Sequence, residues 1–256
     1  MAASGSITVD ISLFAQSTGE RTFCVVRLRF RKHEKISARR AAAGTTPAAA
    51  LQQAAIEALQ RLRQPSEVRL HAPGLITFPP RYGAHHIHFL AETADEAADR
   101  ARLAQVARLL VELSPLAGAH GGSDHVWGAA WPEARKWLAF ILAERGEYGE
   151  LVMGRDLSGA TRLGLLALTG GLALLPDNSG PLRLITDQDT VVHGPDSFAE
   201  WEEHGWQTAP GRPVPHAELW RQLWDATQRR LTTWERMLPH HRLRLAAIAE
   251  APLALD

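Results

Sequence analysis

The chain has little of what covalent or cofactor chemistry draws on. Its 256 residues include one cysteine, Cys24, so an internal disulfide and a cysteine-built zinc site are both excluded. Cys24 lies in the apolar run Phe23-Cys24-Val25-Val26, the setting of a buried, inert thiol. Net charge is also missing: 28 basic residues balance 28 acidic ones, so no overall basic field draws the chain onto nucleic acid. The longest apolar stretch, Leu163 to Leu175, is too short and too glycine-broken to span a bilayer. No basic and apolar leader opens the sequence, and the expectation is a cytoplasmic protein with no membrane partner.

What is present is an ordinary globular composition, 45% hydrophobic and 22% charged, in a length that suits one large domain or two of usual size. Ile7, Val9, Ile11 and Leu13 alternate with polar residues, as do Val26, Leu28 and Phe30 with Arg27, Arg29 and Arg31. Both stretches read as strands with one apolar face. A third strand is expected around Lys35 to Ala41. Thr45-Thr46-Pro47 opens a helix over Ala48 to Leu62. Strands follow at Glu67 to His71 and His86 to Leu90, then an amphipathic helix from Thr93 to Leu113.

The stretch from Ser114 to Ser123 is rich in glycine and small residues and reads as a boundary. The organisation expected is a domain over 1–116, a linker over 117–125 and a second domain over 126–256. Strands are expected at Val126 to Trp131, Trp137 to Ala143, Glu150 to Gly154 and Leu182 to Thr186. A helix from Thr161 to Leu174 is weakened by Gly164, Gly170 and Gly171. The order β-β-β-α-β-α thus occurs twice, which suggests a duplication. The first half carries about five excess positive charges and the second about five excess negative ones.

The second half supplies the sharper pattern: Leu184-Ile185-Thr186-Asp187, His193-Gly194, Trp201, Gly205-Trp206-Gln207-Thr208-Ala209, Arg212-Pro213-Val214, Glu218-Leu219-Trp220 and Trp234-Glu235. In order and spacing it is similar to bacterial type-1 ribonuclease H, almost without gaps from Ala139 to Trp234. Thr45-Thr46, Ala54 to Leu59, Glu67-Val68 and Asp95 to Asp99 resemble the same family more faintly. The resemblance implies an α/β fold: two ribonuclease-H-like domains, each a five-stranded mixed sheet flanked by helices, the second alone with the family's DNA-gripping handle.

That family cleaves RNA in RNA–DNA hybrids with two divalent cations, held by an aspartate on the first strand, a glutamate on the first helix, and aspartates ending the fourth strand and on the last helix. A mobile histidine assists. Paired magnesium ions need several converging carboxylate oxygens. In the first half the resemblance places Asp10 and Asp99 at two of these positions, with Leu51 and Pro73 at the others. In the second half Asp187 and His240 remain. Trp127-Gly128-Ala129-Ala130, Gly164 and a position near Leu243 stand where carboxylates are expected. These are residual catalytic positions, insufficient for a two-metal clamp, and no dedicated metal site or other cofactor is expected.

For binding, Arg27, Arg29, Arg31, Lys32, Lys35, Arg39 and Arg40 form a basic patch suited to phosphates, and Trp206 and Arg212 lie in the handle. The handle tryptophans read as core at least as readily as stacking platforms. His85, His86 and His88 have metal-like types, but His86 and His88 alternate with Ile87 and Phe89 as the outer face of a half-buried strand. Three functions fit. One is a non-catalytic module binding an RNA–DNA hybrid or duplex, or docking a protein. Another is a divergent active ribonuclease H using Mg²⁺ or Mn²⁺. The third is an interaction protein, such as a homodimer pairing oppositely charged halves.

Overall fold

The computed structural model describes residues 7–18, 21–30, 33–72, 76, 78–90, 94–119, 122–143, 146–175, 180–208 and 211–250. By contacts the chain divides into two compact units, Met1–Glu112 with Glu250–Asp256, and Leu113–Ala249.

In the first unit, β1 (Ile7–Thr18), β2 (Arg21–Phe30) and β3 (His33–Arg40) form an antiparallel meander. Helix α1 (Pro47–Gln60) then crosses over to β4 (Ser66–His71), which pairs parallel with β1 so that Val9 faces Val68 and Ile11 faces Leu70. Joining parallel neighbours requires such a crossover. β5 (Arg81–Tyr82) is a short antiparallel addition to β6 (His85–Phe89), and β6 runs parallel to β4. The order is β3-β2-β1-β4-β6-β5. Thr46 caps α1 by accepting the Ala49 N–H at 3.3 Å, with proline in the first turn. The apolar face Leu51, Ala55, Ala58 and Leu59 packs with Val9, Ile11, Leu13, Val68 and Leu70.

Helix α2 (Ala94–Ala119) is longer than the periodicity suggests. It continues through Pro115 to Ala119, where the composition reads as a loop. The turns before the proline are anchored by buried Leu109, Leu110 and Leu113, and Ser114 Oγ donates to the Gly146 carbonyl at 2.5 Å. Residues 117–119 of the expected linker are therefore helical, and Asp124 already belongs to a strand.

In the second unit, β7 (Asp124–Trp131), β8 (Lys136–Ala143) and β9 (Tyr148–Arg155) again form an antiparallel meander. Helix α3 (Ala160–Leu172) crosses to β10 (Leu182–Thr186), which pairs parallel with both β7 and β11 (Thr232–Arg236). The order is β11-β10-β7-β8-β9. Every residue of β7 is buried, as suits a central strand covered on both faces. The glycines that weaken α3 as a sequence signal let it sit close to this sheet. A β-carbon on Gly171 would lie 2.5 Å from Val126 Cγ1, and one on Gly128 would lie 2.8 Å from Leu168 Cδ2.

Between β10 and β11 come α4 (Asp189–His193), α5 (Phe198–Glu203) and α6 (Ala217–Thr227), and α7 (Pro239–Glu250) follows β11. The tryptophan-rich segment is core. The Phe198 ring lies 5.3 to 6.1 Å from those of Trp201, Trp206, Trp220, Trp224 and Trp234. The outer ring carbons of Trp220 abut Gly194, leaving no room there for a β-carbon. Among the described residues, no helix is long and apolar enough to cross a membrane.

Candidate functional site

The carboxyl ends of the parallel strands β7 and β10 bring Gly128, Ala130 and Asp187 together. Thr186 pairs with Gly128, and the Met237 N–H bonds the Thr186 carbonyl at 2.7 Å, which delivers α7 to the same end of the sheet. Such strand ends are where open α/β sheets expose side chains to ligands.

Asp187 is the buried carboxylate of this site, its side chain 6% exposed. Oδ1 accepts from Gln188 Nε2 at 2.9 Å, and the Ala130 N–H points at both oxygens, at 3.3 and 3.5 Å. Oδ2 accepts from Arg242 Nε at 2.8 Å. The Arg242 guanidinium also lies 5.8 Å from the Trp131 ring centroid, within cation–π range. A buried carboxylate held by a guanidinium, a backbone N–H and a side-chain amide has its charge balanced without a metal.

The neighbouring helix offers no second carboxylate. A β-carbon on Gly164 would lie 2.7 Å from Gln188 Cγ and 3.3 Å from Val191 Cγ2, so Gln188 fills the space any longer side chain there would enter. On the other side, His240 and His241 contact edge to face at 4.1 Å between centroids, and His241 meets the buried Trp127 ring edge-on at 6.4 Å. At the start of α3, Arg162 bonds Glu218 and approaches Asp156 at 3.8 Å. Hydrogen bonds from Arg162 hold the Glu218 carboxyl below its usual range, and those from Ser158 do the same for Asp156.

In the first unit, Asp10 is about a quarter exposed and lies 3.7 Å from His71 Nε2. Leu51 is fully buried in the core. Asp99 falls on α2, but its side chain, like Pro73, lies outside the described residues. Asp10 and Asp187 belong to different compact units.

The basic patch needs correction. Arg27 is buried, with Nε 3.6 Å from Glu34 Oε1, and the same carboxylate takes Arg102 Nη1 at 3.0 and 3.1 Å. Alternation assumes that one face of β2 is open, but the strand is buried without a break from Thr22 to Arg27. Arg29 and Arg40 are half-buried, Lys35 and Arg39 exposed, and Arg31 and Lys32 lie outside the described residues. Trp206 also turns inward, 8% exposed in the aromatic core, and is no stacking platform. Arg212 is exposed. His86 and His88 point outward and share Glu67, at 3.7 and 2.8 Å, while His85 is buried.

No protein-family model matches the chain. A ribonuclease H of Pseudomonas aeruginosa (strain LESB58) is 34% identical over 105 residues, which cover 41% of this chain and 70% of the relative. The chain belongs to the ribonuclease H family. A ribonuclease H of Jannaschia sp. (strain CCS1) is 32% identical over 111 residues, covering 41% of this chain and 69% of the relative. Among solved structures, LC9-RNase H1, a type 1 RNase H with the type 2 active-site motif, aligns with a TM-score of 0.41 at 13% identity, over 53% of this chain and 76% of that one. The foamy viral protease-reverse transcriptase in complex with RNA/DNA hybrid aligns with a TM-score of 0.39 at 13% identity, over 97% of this chain and 38% of that one.

The paired magnesium ions of a ribonuclease H do not fit the donors at Asp187. Two ions need several anionic oxygens, yet Asp187 is bonded to a guanidinium. Among the described residues, no three His, Cys, Asp or Glu side chains converge as a metal site. Reading by position missed two residues here, Arg242 and Gln188. Arg242 left a signal: a basic residue beside Leu243, where the ribonuclease H resemblance leads one to expect an acid.

Proposed function

We propose that this chain is a non-hydrolytic ribonuclease H protein that binds nucleic acid, with an RNA–DNA hybrid or duplex as its ligand class. The observation that carries the proposal is the Asp187–Arg242 ion pair, together with the closure of Gly164 by Gln188. A cation approaching Asp187 would have to displace the guanidinium already bonded to that buried carboxylate. The ligand class follows from family membership and from the exposed cationic residues Lys35, Arg39 and Arg212, which suit phosphate contacts. Tandem duplication is part of the same reading. It is supported by β7-β8-β9-β10-β11 repeating the order and directions of β1-β2-β3-β4-β6.

The test is a labelled RNA–DNA hybrid incubated with the full chain in Mg²⁺ and, separately, in Mn²⁺. Retention of the hybrid without cleavage, with binding that weakens steeply as salt rises, is the expected result. Cleavage that disappears on Asp187→Asn or Asp10→Asn substitution would replace the proposal with an active, divergent ribonuclease H.

A further inference from the structure

The Asp187–Arg242 pair does more than close a metal site. Arg242 makes its ion pair through Nε. Its guanidinium carbon also lies 5.8 Å from the centroid of the Trp131 ring, and among the described residues neither terminal nitrogen has a hydrogen-bond partner. The side chain is 41% exposed, whereas that of Asp187 is 6% exposed. The Nε side of the guanidinium is thus held by a buried carboxylate, its carbon lies near an indole, and its terminal N–H donors belong to a partly exposed side chain with no described hydrogen-bond partner for them. A guanidinium held in this way is preorganised for a phosphate, because its donors match two phosphate oxygens and little side-chain freedom is left to lose. Asp187 does not cancel this function; it orients the arginine.

From this geometry we infer that Arg242 takes a backbone phosphodiester directly, its fixed cation replacing the divalent ions at the carboxyl end of β10. The inference rests on the nucleic-acid reading above and names the group that touches the ligand. Binding at this subsite needs no metal and breaks no bond.

The experiment is fluorescence anisotropy with an end-labelled RNA–DNA hybrid, in EDTA and in Mg²⁺, across a salt series. It uses the full chain and the Arg242→Met, Arg242→Lys and Asp187→Asn variants, each checked for a cooperative thermal transition. The original chain is expected to bind equally well in EDTA and Mg²⁺. Arg242→Met is expected to weaken binding about tenfold and to lower the salt slope by about one. Arg242→Lys keeps the charge without the fork and is expected to recover the slope but only part of the affinity. Asp187→Asn is expected to weaken binding by a smaller factor, through loss of orientation. If the original chain binds and Arg242→Met binds equally well with an unchanged slope, the subsite is wrong while the wider reading stands. Binding that requires Mg²⁺ also overturns the subsite. No binding by the original chain at low salt removes the nucleic-acid reading itself. Should Arg242→Met fail to fold, Arg242→Lys and Asp187→Asn still decide, since full affinity in both contradicts a preorganised guanidinium.

Discussion

Gly164 and Gln188 occupy one space between them. The missing β-carbon of the glycine would lie 2.7 Å from the Cγ of the glutamine, whose amide in turn bonds Asp187. Alanine is favoured over glycine inside a helix by about 1 kcal/mol, but overpacking costs about 1 to 3 kcal/mol. Gly164→Ala is therefore expected to destabilise the protein by about 1 kcal/mol in urea unfolding. In the Gln188→Ala background the same change is expected to stabilise it by a similar amount. Equal effects in both backgrounds would show that the two residues do not compete.

The Trp220 ring abuts Gly194 within the cluster centred on Phe198. Gly194→Ala must push the indole aside and is expected to cost about 2 kcal/mol, while Trp220→Ala leaves a cavity and should cost about 3 to 5 kcal/mol. Thermal unfolding of each variant checks this. A neutral Trp220→Ala would mean that the handle tryptophans are not core.

Cys24 is buried, and that burial, with a contribution from Glu57, pushes its thiol up to about 12 from 9.0. The native thiol is expected to resist a disulfide reagent at pH 8 and to react stoichiometrically once unfolded. Its contribution to stability is complete below pH 9 and is lost as the pH rises from there toward 12, because the unfolded thiol ionises first. Cys24→Ala should flatten the alkaline decline in stability over that interval.

Much of the architecture was legible because hydrophobic periodicity is local. The alternation in β1, the capped start of α1 at Thr46 and the apolar runs of β7 and β8 each appear where expected. Other features depend on what faces an element. Arg27 alternates like an exposed residue but is buried beside Glu34, a partner in the adjoining strand that period-two reasoning does not see. α2 passes Pro115 because buried leucines and the Ser114 bond hold its path. At the site, Asp187 was legible from the ribonuclease H resemblance. Arg242 was not, because that resemblance looks for carboxylates and does not register a cation bonded to one of them.

The proposed replacement of metal by arginine at Asp187 is tested most directly by titrating the protein with Mn²⁺ and following calorimetric heat and water-proton relaxation, in the original chain and in Arg242→Met. The proposal predicts no saturable binding by the original chain at sub-millimolar Mn²⁺, and at most one weak site once the guanidinium is removed. Two saturable sites in the original chain, lost on Asp187→Asn substitution, would contradict it.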